Sequence, residues 1–473
     1  MIASEQELFA VLRQYNPWWS AGRVPDLPDW RRVAFTELHQ WISSPPAPRA
    51  VLLSGARQTG KTTLLSQSIA ELLSAGIRPE QILYATLDHP LLKLIGLKGL
   101  IDTWRKIYPS SDQTDYLYLD EIQYAKDWQT WLKHQVDFNK NRRIAVTGSA
   151  VPLAMENPES GVGRWHTIKL PTLSFFEYLR IKNVAIPDIR PVSSLRETFS
   201  WSKRDILQTA ETAIPLVPHF HNYILQGGFP QTAVIENLSL AQKLLREDIV
   251  DKVLKRDMTA YFGVRRILEL EKTFLYLCLH EGGILDVTQL CTLLELKKPT
   301  VMRFLEILES AHLIYKLPRF GYGKEVLRAR QKVYLADASI AGSVLLKGSS
   351  LLEDGPRLGA AIETAFFKHV FTRYYQTSVG FSYWKGKRDL EVDIIAEAEG
   401  DIIPFEVKYT QGSIGNADLR GLKELCSEKR ISRAYLVGRD FDSFGVVNLT
   451  RDVQVLCIPA PLACLWLSQW EHA

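Results

Sequence analysis

A chain of 473 residues, 46% of them hydrophobic, is too long for one ordinary domain and apolar enough to bury two to four cores. Its formal net charge of +4 is mild, which excludes binding to nucleic acid through bulk basicity and requires any basic surface to be local. The five cysteines lack CxxC or Cys/His spacing, so they read as reduced core residues rather than a disulfide framework or zinc site. The start, MIASEQELFAVLRQYNPWW, is charged and amphipathic without a signal peptide's apolar centre, and no run approaches about 18 apolar residues. A soluble cytoplasmic protein without a membrane partner is expected.

Residues 1–46 read as a helical lead-in with an aromatic cluster, Trp18, Trp19 and Trp30, closed by the breaker SSPPAP. An α/β block is predicted over 47–172. Its strands are the apolar runs Ala50 to Ser54, Gln81 to Thr86, Tyr116 to Leu119 and Arg143 to Thr147, separated by helical stretches, which implies a parallel sheet covered on both faces.

The first strand runs into GARQTGKTT, a full GxxxxGK[ST] match followed by a predicted helix. Glycines at 55 and 60 let backbone N–H groups turn toward an anion, and the helix dipole beyond favours the same charge. The expected ATP-binding loop is Gly55, Ala56, Arg57, Gln58, Thr59, Gly60, Lys61, Thr62 and Thr63. Lys61 supplies a cation for the outer phosphates and Thr62 an oxygen for Mg²⁺, while Gln58 offers only backbone. In YLYLDEIQ a strand ends in Asp120, expected to hold Mg²⁺ through water, and Glu121, expected to polarise the attacking water. The strand end IAVTGSA brings Thr147 and Ser149 to the same edge, where a hydroxyl can bond the water or the γ-phosphate.

From 173 to 265 the pattern is helical, broken by Gly227-Gly228-Phe229-Pro230, and is read as a lid. Over 266–345 three helices precede two strands, an order that resembles a winged helix. Its third helix has an apolar stripe of Val301, Phe304, Leu305 and Leu308, with Lys298, Thr300 and Arg303 on or beside the open face. A basic, aromatic tip from Arg319 through Phe320, Tyr322 and Lys324 to Arg328 and Arg330 would form the wing. DNA binding and plain packing both fit such a unit.

Residues 346–473 run helix, strand, strand, helix, strand. Alternation puts Glu391 and Asp393 on one face of the strand Leu390 to Ile395, and Glu406 and Lys408 on one face of the next. Asp393 and Glu406 are candidate Mg²⁺ ligands, and Lys408 a group that positions water for attack on a phosphodiester. This resembles the restriction-endonuclease-like fold with its D…ExK pattern, and the resemblance adds Glu363 as the helical acidic residue. Cutting DNA and merely gripping it remain alternatives.

Taken together, GARQTGKTTLL, LDEIQ, VTGSA, GVGRWHTIKLPTLSFFEYL, GGFP and EVDIIAEAEGDIIPFEVK resemble bacterial and archaeal AAA+ superfamily ATPases that carry a C-terminal domain of uncharacterised type. The resemblance implies an AAA+ P-loop core with helical lid, then a winged helix, then a nuclease-like α/β domain. It places the Gly163-Arg164 element after the last strand of the sheet, with Arg164 either a finger toward a neighbouring subunit's γ-phosphate or a sensor in its own. The implied activity is DNA-stimulated ATP hydrolysis coupled to movement on, or remodelling of, duplex or branched DNA, such as junction branch migration, by a ring or helical homo-oligomer. The alternatives are an ATP-gated switch controlling a DNA-binding or nuclease module, and a metal-dependent DNase that uses ATP only for assembly.

Overall fold

The computed structural model describes residues 4–109, 113–149, 163–259, 263–321, 323–398, 400–410, 412, 415 and 418–469. Tyr322 of the expected wing, Ala150 of VTGSA and the first two residues of GVGRWH lie outside them. The chain divides into two compact units, Met1–Leu170 with Ser310–His312, and Pro171–Glu309 with Leu313–Ala473. Among the described residues, no helix is long and apolar enough to cross a membrane.

The first unit is built on five parallel strands, β1 (Ala50–Ser54), β2 (Ile82–Thr86), β3 (Asp115–Asp120), β4 (Arg142–Gly148) and β5 (Trp165–Lys169). Their order is β2-β3-β4-β1-β5, so the first strand lies inside the sheet with its loop between neighbours. Every residue of β1, β2 and β3 is buried, as expected for strands covered on both faces. One face packs Leu52, Leu83, Leu117 and Val146 against helices that include Trp104 and Leu132. The other packs Leu53, Tyr118 and Ala145 against Leu64, Leu65 and Ile69 of the helix Lys61–Ser74.

The lead-in closes the β2 edge. Asn16 is fully buried, accepts from the Tyr84 N–H at 2.7 Å and donates to the Tyr84 carbonyl at 2.8 Å. Trp18 and Trp19 both donate their indole N–H to the Ile82 carbonyl, at 3.2 and 2.9 Å. Backbone groups that an edge strand would leave open are thereby satisfied by side chains.

The second unit contains the helices Ile267–Leu279, Val287–Leu294 and Lys298–Ser310, then an antiparallel pair β6 (Ile314–Leu317) and β7 (Lys332–Leu335). Val301, Phe304, Leu305 and Leu308 are buried, and Lys298 and Arg303 are exposed. A mixed six-stranded sheet follows, with β8 (Val379–Lys385), β9 (Glu391–Ala398), β10 (Asp401–Lys408), β11 (Arg433–Gly438), β12 (Gly445–Asn448) and β13 (Gln454–Pro459) in the order β12-β13-β11-β10-β9-β8. β10, β11 and β13 are mutually parallel, whereas β8 with β9, β9 with β10, and β12 with β13 are antiparallel. The helix Gly355–Tyr374 carries Glu363.

A buried ion pair organises this unit. Lys368 lies 3.3 Å from Asp337 Oδ2 and donates to Thr172 Oγ1 and the Leu173 carbonyl, both at 2.9 Å. The same Asp337 oxygen accepts from Thr172 Oγ1 at 2.6 Å and from the Gly228 N–H at 3.0 Å. Burial pushes the Asp337 carboxyl up, but Lys368, the Thr172 hydroxyl and the hydroxyl and N–H of Ser339 outweigh it and hold it below its ordinary range. The GGFP motif has its cause here: a Cβ on Gly227 would meet Ser339 Oγ at 2.0 Å, and one on Gly228 would meet the Leu173 carbonyl at 2.5 Å.

Candidate nucleotide site and a carboxylate cluster

Strand β1 delivers its loop at the carboxyl end of the sheet, where open α/β sheets bind ligands. Gly55 passes so close to β5 that a Cβ would lie 2.2 Å from the Leu170 carbonyl, so only glycine fits. Gln58 and Gly60 have φ of 61° and 91°, the left-handed turns that let successive N–H groups converge as an anion nest. The backbone role expected of Gln58 thus has a conformational basis. Thr59 donates to the Ala56 carbonyl at 2.9 Å, and Arg32 donates to the Thr59 carbonyl at 2.7 Å, bracing the loop from within and behind. Lys61 is buried and donates to the carbonyls of Gly55 and Ala56 at 2.9 and 2.7 Å.

Strands β3 and β4 are neighbours, and their ends meet this loop. Thr62 Oγ1 donates to Asp120 Oδ2 at 2.6 Å, and Tyr84, from β2, donates to the same oxygen at 2.9 Å. Thr147 donates to the other oxygen, Oδ1. Tyr84 was not singled out from the sequence; its signal is its place in β2, two residues before the strand's carboxyl end. Glu121 has φ of 53°, a left-handed conformation uncommon outside glycine, and its N–H points at Asp120 Oδ1 and Thr147 Oγ1, each at 3.1 Å. Its Oε2 accepts from Gln123 Nε2 and lies 3.5 Å from Ser149 Oγ. The donor set suits a magnesium nucleotide: a hydroxyl beside a carboxylate, a lysine, and a loop whose left-handed turns at Gln58 and Gly60 bring N–H groups together.

Arg164 is elsewhere. The resemblance set it after the last strand, but β5 follows it, and β5 pairs with β1 in the register Ala50 to Trp165. Arg164 therefore adjoins the amino-terminal end of β1, about 16 Å along the strand from Gly55 at about 3.3 Å per residue. Its Nε lies 3.3 Å from Asp137 Oδ1. Within its own subunit Arg164 lies at the end of β1 opposite the one that carries the loop. Sequence reading missed β5 because its WHTIK pattern is only half-buried, as befits an edge strand.

In the second unit, Glu363, Glu391, Asp393, Glu406 and Lys408 are drawn together by the helix Gly355–Tyr374 and by β9 and β10. Asp393 Oδ2 accepts from the Val407 N–H at 2.9 Å, and Lys408 Nζ lies 2.7 Å from Glu406 Oε1. A sixth residue completes the cluster. Lys332, from β7, places its ammonium 2.7 Å from Glu363 Oε1, 2.9 Å from Glu391 Oε1 and 2.8 Å from Asp393 Oδ1. Tyr334, two residues on and on the same face, donates to Glu363 Oε1 at 2.6 Å. Burial pushes the Glu406 carboxyl up to about 8, with Asp393 adding to it, and burial likewise raises Glu363. Burial also raises Asp393, but Lys332 and Lys408 overcome it and leave this carboxyl below its ordinary range. Nothing in the sequence joins Lys332 to carboxylates some 30 to 60 residues downstream except its i, i+2 spacing with Tyr334 in a short strand.

The expected DNA-contact residues Lys298, Arg303, Lys324 and Arg328 are exposed and Thr300 is half-buried. Arg303 faces Glu306 at 3.5 Å.

Residues 47–179 match a family model described as an AAA domain, and residues 217–351 and 358–460 match two models each described as a domain of unknown function. With the first of these matches, the parallel sheet and its loop are those of an AAA-type P-loop domain, followed by a further α/β unit with a mixed sheet. The chain is similar to an uncharacterized protein of Haemophilus influenzae, 28% identical over 369 residues, covering 76% of this chain and 82% of that one. It is also similar to an uncharacterized protein of Methanocaldococcus jannaschii, 26% identical over 352 residues and covering 72% of each. A solved structure of a DNA replication initiation factor aligns over 58% of this chain and 86% of its own, with 16% identity and a TM-score of 0.25.

Proposed function

We propose that this protein is an AAA-type ATPase acting on DNA, whose first unit binds and hydrolyses ATP and whose second unit engages duplex or branched DNA. The observation that carries the ATPase reading is the 2.6 Å bond between Thr62 and Asp120 at the mouth of a glycine-gated loop. The loop amides and Lys61 would hold the phosphates, with Lys61 leaving the Gly55 and Ala56 carbonyls to do so. Thr62 and Asp120 would hold Mg²⁺, which supplies neutralisation of charge on the phosphate oxygens. Glu121, its backbone pinned by Asp120 and Thr147, would accept a proton from water as the water oxygen bonds to the γ-phosphorus and ADP departs. Ser149 and Gln123, both near the Glu121 carboxylate, would orient it.

Support for the DNA reading is chemical: an exposed pair of cations, Lys298 and Arg303, opens a helix whose opposite stripe is buried, and Lys324 and Arg328 lie exposed beyond it. The test is an ATPase assay with single-stranded, duplex and four-way junction DNA side by side, on wild type, Lys61→Ala and Glu121→Gln. Lys61→Ala should lose nucleotide binding, and Glu121→Gln should bind ATP yet lose turnover by about 100-fold or more. Turnover stimulated by DNA and graded by its length or branching supports the reading; indifference to every DNA supports an ATP-gated switch instead. Full activity of Lys61→Ala would end it.

A further inference from the structure

We propose that Lys332 takes the place of a divalent cation in the carboxylate cluster of the second unit, so that the cluster is neutralised from within the chain and holds no metal while Lys332 is present. The inference concerns the nuclease-like module alone and stands whether or not the first unit hydrolyses ATP.

An ammonium carries three donors, and Lys332 directs one to each of three carboxylates, at 2.7, 2.9 and 2.8 Å. These are hydrogen-bond lengths. Mg²⁺ would require oxygens at about 2.0–2.1 Å and Ca²⁺ at about 2.3–2.6 Å, so the ion and the ammonium compete for one position. Lys332 is 1% exposed, and leaving that many carboxylates together in a dry site without a cation would be prohibitive. Four carboxyl groups, Glu363, Glu391, Asp393 and Glu406, lie with the ammonium groups of Lys332, Lys408 and Lys385, the last 3.5 Å from Glu391, so cations of the chain itself already serve the cluster.

Lys332 is also held by its backbone rather than hung on a loose arm. Strand β7 pairs with β6 and bridges to Ile284 through Lys332 itself. The connection leading into β7 is stitched to β8, where the Phe320 N–H donates to the Tyr383 carbonyl at 2.6 Å, the Tyr383 N–H to the Pro318 carbonyl at 3.0 Å, and Arg319 to the Lys385 carbonyl at 2.6 Å. The ammonium is therefore a built part of the site.

One oxygen of the cluster has no partner among the described residues. Glu406 is 4% exposed, and its Oε2 is buried with no hydrogen-bond partner among the described residues. Glu406 follows Phe405, whose partner across the strands is Ile394, the residue after Asp393, so Glu406 and Asp393 are the next cross-strand neighbours. With Lys332 gone, Glu363 and Asp393 would lose the cation that neutralises them, and a hard divalent cation is the replacement that carboxylate oxygens take.

The test is Mn²⁺ binding to the full chain without nucleotide, followed by the electron paramagnetic resonance signal of free Mn²⁺ and by thermal melting. Wild type should bind no Mn²⁺ that Asp393→Asn removes, and should show no Asp393-dependent cutting of DNA with Mg²⁺ or Mn²⁺. Lys332→Met should gain one Mn²⁺ with at least tenfold higher affinity and melt higher in its presence, and Lys332→Met/Asp393→Asn should lose both. Should Lys332→Met not fold, Lys332→Met/Glu391→Gln relieves a negative charge while keeping Asp393, Glu363 and Glu406, and the same gain is expected. Mn²⁺ bound through Asp393 in wild type, or no gain in either lysine variant, overturns the proposal.

Discussion

Tyr84 and Thr62 donate to the same oxygen of Asp120, at 2.9 and 2.6 Å, the one from strand β2 and the other from the helix Lys61–Ser74. Thr62 is the group expected to join a metal, so Tyr84 is the one left to orient the carboxylate when it does. Tyr84→Phe keeps the ring in the core and removes only the donor. The Mg²⁺ concentration for half-maximal ATP turnover should rise about tenfold, the usual scale for losing such an orienting bond. An unchanged Mg²⁺ titration would reduce Tyr84 to packing.

Arg164 lies at the end of β1 opposite Gly55, a placement that suits a finger toward a second copy of the chain. Arg164→Ala should keep nucleotide binding while turnover falls by about tenfold or more, and mixing it with Lys61→Ala subunits should restore part of the loss. Lack of recovery on mixing would leave Arg164 a structural partner of Asp137.

The exposed face of the helix Lys298–Ser310 is tested by salt. Reversing Lys298 and Arg303 to glutamate should weaken DNA binding and lower the slope of log K against log salt by about 0.9 for each duplex phosphate that is no longer neutralised. Glu306, 3.5 Å from Arg303, would be left beside a like charge, so thermal melting should accompany the titration. An unaltered slope would assign this face to protein contact.

His369 supplies a pH prediction. Its Nε2 accepts from the Phe175 N–H at 2.9 Å and its Nδ1 faces the Ala365 carbonyl at 2.6 Å, so the neutral ring with a proton on Nδ1 satisfies both. Burial, then the neighbouring Lys368, holds its pKa down to about 3 from an ordinary 6.5. Below 6.5 the unfolded chain binds a proton that the folded chain refuses, so stability is full above that pH and falls toward pH 3, by up to about 1.4 kcal/mol per unit. Urea midpoints between pH 7.5 and 4.5 should decline less steeply in His369→Gln than in wild type. Parallel declines would show that other groups carry the acid sensitivity.

What could be read from the sequence follows from which interactions are local. The loop at 55–63 is a contiguous pattern, and strands such as Ala50–Ser54 are apolar throughout because both faces are covered, so period and position agree. The Val301, Phe304, Leu305 and Leu308 stripe was legible for the same reason. Asp393 and Glu406 could be brought together because alternation on two adjacent strands predicts a shared face. Lys332 could not, since its partners are defined by how one hairpin lies on another sheet, and a lysine in a short strand ordinarily reads as solvated. Arg164 could not be placed without β5: the chain after β4 has no direction until that strand is known, and with it Arg164 is set beside the amino-terminal end of β1.

The lead-in at Asn16, Trp18 and Trp19 bears on how the protein is handled. Shorn of its first twenty residues, the sheet would present a bare β2 margin whose Ile82 and Tyr84 backbone groups invite passing chains to zip on. Trimming there, a natural step when hunting a minimal ATP-binding fragment, would exchange a well-behaved particle for a sticky one, and clumping in such a fragment would say nothing against its nucleotide chemistry.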